Sequence, residues 1–528
     1  MSTLDWGIIV AYMVGMVALS VYLGRGQEND EDYYVGGRNL PWWAVGISTM
    51  ATQTSVISFI SIPAFVALKE GGGLTWLQYE LAVPLAMIVV MVCLLPFFRK
   101  LELVSVYAYL EMRFGPSVRY FLSAVFLLSR GLGTGVGIYA SAKVLQVCLG
   151  IELWQTIVII GVVTVVYDTI GGMTAVVYSD VIQMAVLLGG LVACIWLAVD
   201  EVGGVGAVME ALPAERWRGY DPGTGIFDGS QAPFWGFLIG GLCLYISYYG
   251  VDQSQAQREL SAPTMADTRR ALVFNGIARF PLTLLYLALG VALGAAYINA
   301  PDMQAAVGGD PDNLVTWFIL NRLPEGLRAV LLAAMLAAAM SSLDSALNSL
   351  SAATMQDFIE KLHPLKPEQR LSVGRMTTIV WGAIITASAF LFGGQDTIVE
   401  VINKVGSAFY GPILAAFLVG LFSRRANAFG VLGGVVAGVG FNVFLWLAFE
   451  DDLYWMWWNV TGLFVTVVAT NLLSYMRPPV PKAQADAYTL SLSGVLAEER
   501  KWLGTHALLF GYFIFILVCT LYVETLAS

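Results

Sequence analysis

Ser341, Asp344, Ser345 and Asn348 fall at i, i+3, i+4 and i+7, a spacing that puts four oxygen-bearing side chains on one face of a helix. The alanines just before them, 337–339, are small enough for another helix to approach closely. A carboxylate among hydroxyls makes a good oxygen cage for a hard cation, and packing alone does not call for Asp344 there. A second hydroxyl-rich run, STMATQTSVIS, covers 48–58. Hydroxyls at that density compete for backbone hydrogen bonds and loosen a helix. A helix packed tightly on its neighbours also uses many hydroxyls, so the run by itself leaves both readings open. Seven ionisable residues, Glu80, Arg130, Lys143, Asp180, Arg279, Asp344 and Lys404, interrupt otherwise apolar stretches.

The elements that hold these groups are set by composition. Of 528 residues, 58% are hydrophobic and 12% charged, and the mean hydropathy is +0.72. A soluble protein carries about 25% charged residues, so this chain lacks the polar side chains to clothe a water-facing surface. It is an all-α polytopic membrane protein. Windows of about 20 apolar residues give fourteen expected spans, near 5–24, 42–68, 75–98, 120–149, 153–170, 176–199, 233–252, 271–299, 329–356, 373–393, 399–423, 427–449, 454–476 and 505–525. Trp6 to Gly24 reads as a retained helix rather than a cleaved signal. With the N-terminus outside, 19 of the 28 lysines and arginines fall in inner loops, 5 in outer ones, and 4 (Arg130, Lys143, Arg279, Lys404) within spans. This is the positive-inside bias, and an even span count places both termini outside a cell membrane.

Several functions are excluded. A net charge of −10 argues against nucleic acid as a partner, which wants a basic patch. Five cysteines (Cys93, Cys148, Cys194, Cys243, Cys519) lie in apolar stretches without a CxxC pair, and His363 and His506 are the two histidines. No disulfide framework, transition-metal site or cofactor is expected, nor a membrane enzyme, since no nucleophile–histidine pair falls within the spans. A charge at membrane depth costs a few kcal/mol. Structural ion pairing is the simpler reading for Lys143 and Arg279. Backbone freed in lipid is tolerated where it lines a cavity, which suits the 48–58 run.

Five stretches together carry a resemblance, after the Tyr-Tyr-Val-Gly-Gly-Arg of 33–38: Ser-Ile-Pro-Ala (61–64), Gly171–Gln183 with its Tyr-Ser-Asp-Val-Ile-Gln, Asp-Gln-Ser-Gln-Ala-Gln-Arg (252–258), the Ser341–Asn348 cluster, and Gly411-Pro412 through Phe422. Their order and placement on the spans resemble the sodium/solute symporter family, from residue 33 to about 445. The resemblance implies a LeuT-type five-plus-five inverted repeat with extra helices. As one transmembrane unit over 1–528, it would comprise an extra helix and inner loop (1–41), a first repeat (42–199), a second repeat (233–425) and additional helices (426–528). It also implies a shared sodium site of Ala51, Thr54, Ala338, Ser341 and Ser342. A second sodium would use Asp180, Asp344 and Ser345. Asp344 stands where the sialic acid member has serine, and would either strengthen that site or carry a proton instead.

For the solute the resemblance points to Gln53, Ser58, Gln78, Tyr79, Glu80, Tyr245, Tyr248 and Lys404. Tyr79-Glu80 matches the sugar members, while Tyr245 replaces their asparagine and Ser58 a glutamine. The arginine that holds the sialic acid carboxylate aligns with Gly133, one turn from Arg130. The expected function is sodium-coupled import of a small polar solute, a sugar or polyol favoured, with a sugar acid or monocarboxylate as the alternative. Lys404 decides between them: paired with Glu80 it leaves a neutral pocket, and apart it is free for an anion. A solute sensor or passive channel is the alternative of another class. The expected partners are the solute, Na+ and membrane lipid, with the chain a monomer and no cofactor beyond the coupling ion.

Overall fold

Apolar side chains at helical spacing dominate the chain, and every regular element among the described residues is helical. The computed structural model describes residues 1–223, 233–392, 398–449 and 452–526, with side chains omitted at 398–405, 492, 493, 496 and 526. In chain order the main helices are α1 (Thr3–Leu23), α2 (Trp42–Ala51), α3 (Val56–Ala67), α4 (Leu74–Lys100), α5 (Pro116–Leu149), α6 (Leu153–Val202), α7 (Gly241–Gly250), α8 (Gln253–Glu259), α9 (Met265–Asn299), α10 (Leu327–Thr354), α11 (Pro367–Ala389), α12 (Ile398–Phe422), α13 (Ala428–Phe449), α14 (Trp457–Ser474) and α15 (Leu503–Tyr522). Nine helical segments among the described residues are long and apolar enough to cross a bilayer, and ten if the bent α2–α3 pair counts as one span. The chain is therefore a multi-pass membrane protein. Trp154, Trp196, Leu128, Leu447, Phe464 and Leu472 stand exposed on helix faces, as expected where the solvent is lipid.

Two interruptions position the centre. Between α2 and α3 the chain bends by 61°. Thr52 and Thr54 turn their hydroxyls onto the carbonyls of Ser48 and Met50 at 2.9 and 3.1 Å, and Ser55 caps α3 through the Ser58 amide at 3.3 Å. This is the local competition expected of the hydroxyl run. Between α7 and α8, Val251 and Asp252 leave the helix, and the Asp252 carboxylate caps α8 at the Ser254 amide, 2.8 Å away. In α6, 50 residues long, Gly172 adopts φ 56°, ψ −159° and kinks the helix. A Cβ there would lie 2.7 Å from the Tyr33 carbonyl oxygen. The expected spans 153–170 and 176–199 meet at this kink.

Small residues set the closest helix pair. Gly430, Gly434 and Gly438 of α13 face Ser474, Thr470 and Thr466 of α14, where a Cβ would come within 2.0, 2.0 and 1.9 Å of a hydroxyl oxygen. Lacking a hydrophobic drive in lipid, helices gain from this close approach. The basic loops collect at one end of the bundle: Arg38 bonds to the carbonyls of Glu102 and Leu260, Arg119 reaches Asp357, and Arg424 meets Asp486. At the other end Arg328 pairs with Asp5, Arg322 with Glu201 and Asp302, and Arg216 bonds to the Lys69 carbonyl.

Candidate functional site

A cavity of about 190 Å³ lies beside the α2–α3 break, walled by α5, α7, α10 and α12. Thr52 and Ser55 come from the break, Ser342 from α10, Tyr248 and Asp252 from α7 and the α7–α8 break, and Arg130 from α5. Ile57, Phe126, Ile138 and Phe409 supply apolar wall. On α5 the face Arg130, Gly133, Thr134, Gly137, Ser141 looks into this space, and a Cβ on Gly133 or Gly137 would meet nothing within 4 Å. Arg130 Nη1 is 3.8 Å from Asp252 Oδ2, while its buried Nε has no hydrogen-bond partner.

The expected sodium ligands flank the same break. Ser341 and Ser342 direct their hydroxyls at the Ala338 carbonyl, at 3.3 and 3.4 Å. Across from them the Ala51 carbonyl accepts the Thr54 amide at 2.9 Å. The two halves are tied by Thr52 and Ser345, whose hydroxyl oxygens are 3.2 Å apart. The Ala51, Thr54, Ala338, Ser341 and Ser342 set carries no formal charge, only carbonyl and hydroxyl dipoles.

One turn further along α10 lies a buried ionic cluster. Asp180 Oδ2 accepts the Ser48 hydroxyl at 2.6 Å and sits 3.6 Å from Arg258. Arg258 also donates to the hydroxyls of Thr52 and Ser345. Asp344 takes the Tyr167 hydroxyl at 2.6 Å and lies 3.2 Å from the Ser345 hydroxyl. Asp168, fully buried, has no hydrogen-bond partner on either carboxylate oxygen. Sequence reasoning placed Asp180, Asp344 and Ser345 together but counted Arg258 as an inner-loop cation and passed over Asp168. Arg258 belongs to α8, all seven residues of which are buried. The signal for Asp168 was available, since an acid inside a span is a functional candidate by default.

The expected solute residues divide. Gln53, Tyr79, Glu80 and Tyr245 gather around Arg279 of α9. Glu80 takes a two-pronged contact from Arg279, at 3.0 and 3.2 Å, and the Thr283 hydroxyl at 2.9 Å. Gln53 accepts from the same guanidinium, which also stands 5.9 Å over the Tyr245 ring, and Tyr79 packs edge-on against Tyr245. Glu80 therefore has Arg279 as its charge partner, and structural pairing, the simpler reading for Arg279, is what the geometry displays. Tyr248 lies apart from this group, in the cavity, 5.9 Å under Arg130. Gln78 is tied to the segment after α6 through the Asp221 amide, and Ser58 sits in the first turn of α3. Neither faces the cavity lining. The side chain of Lys404 lies outside the described residues.

Residues 33–438 match the model of the Sodium:solute symporter family. The sodium/sialic acid symporter of Aliivibrio fischeri is 29% identical over 509 residues, covering 94% of this chain and 97% of that one. Human sodium-coupled monocarboxylate transporter 1 is 28% identical over 460 residues, 85% of this chain and 74% of that protein. Among solved structures, a substrate-bound, outward-open sodium-coupled sialic acid symporter superposes with a TM-score of 0.82 at 27% identity, covering 91% of this chain and 99% of that one. A nucleobase-cation-symport-1 transporter superposes at 0.55 with 15% identity, which speaks to the fold alone.

Proposed function

The chain belongs to the sodium:solute symporter family, and from that premise we propose that it imports a small organic carboxylate, a sugar acid or a monocarboxylate, with sodium. The observation that carries the solute class is Arg130. It lines the cavity; among the described residues its Nε lacks a hydrogen-bond partner and its one ionic contact is long at 3.8 Å. A guanidinium recognises a carboxylate through a planar pair of charge-assisted hydrogen bonds. The hydroxyl-recognition set favoured from sequence is committed elsewhere, since Glu80 and Gln53 spend acceptor oxygens on Arg279. The relatives include carriers of sialic acid and of monocarboxylates and a human sodium/iodide cotransporter; all of these solutes are anions, which favours an anion over a neutral sugar or polyol, and the first two are carboxylates.

The coupling ion is sodium, for which Ala51, Thr54, Ala338, Ser341 and Ser342 are the ligands we assign. Asp180, Asp344 and Ser345 remain the candidates for a second cation, with Arg258 already supplying one positive charge beside Asp180. Because α2–α3 and α10 contribute both to these oxygens and to the cavity, filling one site favours the closed state that holds the other. We further read fourteen spans, obtained by splitting α6 at Gly172 and counting the two broken helices, α12 and α14. The repeats are 42–199 and 233–425, flanked by 1–41 and 426–528, with the basic end facing the cell interior and both termini outside the cell membrane.

A thermal-shift panel tests the solute class. Ligand that binds only the folded state raises Tm by mass action. Pyruvate or sialic acid is expected to raise Tm in sodium buffer and not in choline buffer, with the rise absent in Arg130→Gln. A rise with glucose or inositol alone would contradict the proposal.

A further inference from the structure

We propose that Asp252 is the resident stand-in for the solute carboxylate: it neutralises Arg130 in the empty carrier and yields that guanidinium when solute arrives. The inference rests on Arg130 being the group that receives the solute. Both side chains line the same cavity. Asp252 offers Arg130 one oxygen, Oδ2, at 3.8 Å. Its other oxygen, Oδ1, is held by the amide of Ser254, at 2.8 Å, and by the Ser254 hydroxyl. The cap fixes Asp252 close enough to neutralise Arg130 but forbids the two-pronged geometry that a guanidinium prefers. A solute carboxylate, with both oxygens free, can take that geometry and win the exchange.

The arrangement serves two half-cycles with opposite needs. A buried guanidinium left unpaired is heavily penalised, so a carrier without solute needs a partner for Arg130 before it can close and return. A partner bound as firmly as solute would instead block loading. A weak, tethered carboxylate meets both conditions. Its location adds a link to conformation: Val251 and Asp252 are the two residues between α7 and α8, so a tilt of α8 is absorbed where the exchange of partners occurs. Asp252 is thus a positioning and specificity residue, set against anions that cannot displace it.

The test separates solute exchange, which never requires an empty carrier to return, from net uptake, which does. Proteoliposomes carry wild type, Asp252→Asn and Asp252→Glu, with labelled pyruvate and labelled sialic acid as the probes. Asparagine keeps the α8 cap and removes the charge. With the internal competitor gone, the KM of Asp252→Asn for the transported probe is expected to fall roughly fivefold. Its exchange is expected to persist while sodium-driven net uptake falls about tenfold, and Asp252→Glu is expected to restore net uptake. Equal losses of exchange and net uptake would reduce Asp252 to a helix cap and overturn the proposal, as would a variant indistinguishable from wild type. If Asp252→Asn does not give a monodisperse protein, Asp252→Ser, which also keeps a capping oxygen, is read in its place. A wild-type carrier that moves neither probe would instead remove the carboxylate reading beneath the inference.

Discussion

Ser341 and Ser342 aim two hydroxyls at one carbonyl, that of Ala338, on a stretch of α10 whose other side chains are alanines, Met340 and Leu343. Replacing both with alanine removes two of the assigned ligand oxygens, one from the buried Ser341 and one from Ser342 on the cavity wall. The sodium concentration for half-maximal uptake is then expected to rise at least about tenfold, which corresponds to roughly 1.4 kcal/mol. An unchanged sodium dependence would remove these serines from the site. Arg258 and Asp180 form the charged core one turn away, and removing one partner of a buried pair costs about 3–5 kcal/mol because the other charge is stranded. Arg258→Gln should therefore lower Tm strongly, and adding Asp180→Asn should recover part of the loss. Additive losses in that double-mutant cycle would mean the two do not interact. Asp180 and Asp344 were legible as intramembrane carboxylates. Arg258 was not, because a stretch with six polar residues in seven, between the expected spans 233–252 and 271–299, reads as a loop, whereas α8 is a half-helix folded inside the protein where its polar groups bond to one another, to Thr52 in the α2–α3 break and to α10.

At the scale of elements, the helices are defined by what interrupts them. Gly172 holds a φ/ψ pair open essentially to glycine alone, and the Tyr33 backbone fills the space a Cβ needs. Gly172→Ala is expected to cost at least ~1–3 kcal/mol and to lower Tm in detergent by several degrees. A Tm equal to wild type would show that α6 bends for another reason. Apolar run length located most helices well: α1, α13 and α15 begin and end within a few residues of expectation. The α6 region was read as two spans, and the two helical segments join at the non-helical Gly172. The hydroxyl run left a loosened helix and a tightly packed one both open; in the structure the Thr54 hydroxyl takes the Met50 carbonyl that a continuous helix would give to the Thr54 amide, which bonds to Ala51 instead. Side-chain partners between helices were less legible. Sequence left a Glu80–Lys404 pair as one of two options, and the side chain of Lys404 lies outside the described residues; the register of α9 against α4 brings Arg279 to Glu80.

For the whole molecule, charge sorts to two ends and oxygen to the middle. Loop arginines tie the termini of helices together, with Arg119 buried against Asp357 and Glu111 at one end and Arg328 against Asp5 at the other. The interior keeps its few charges at the two broken helices. That layout was readable from composition, the positive-inside bias and the spacing in α10. The solute class was not, because it depends on which arginine is already paired: Arg279 has two firm carboxylate contacts and Arg130 one long one. The most direct test is uptake by purified protein in proteoliposomes under an inward sodium gradient, comparing labelled pyruvate and sialic acid with glucose and myo-inositol. On the carboxylate reading, at least one carboxylate accumulates above its external concentration, choline in place of sodium abolishes this, and Arg130→Gln loses it. Sodium-driven accumulation of glucose or inositol, with both carboxylates excluded, would contradict it.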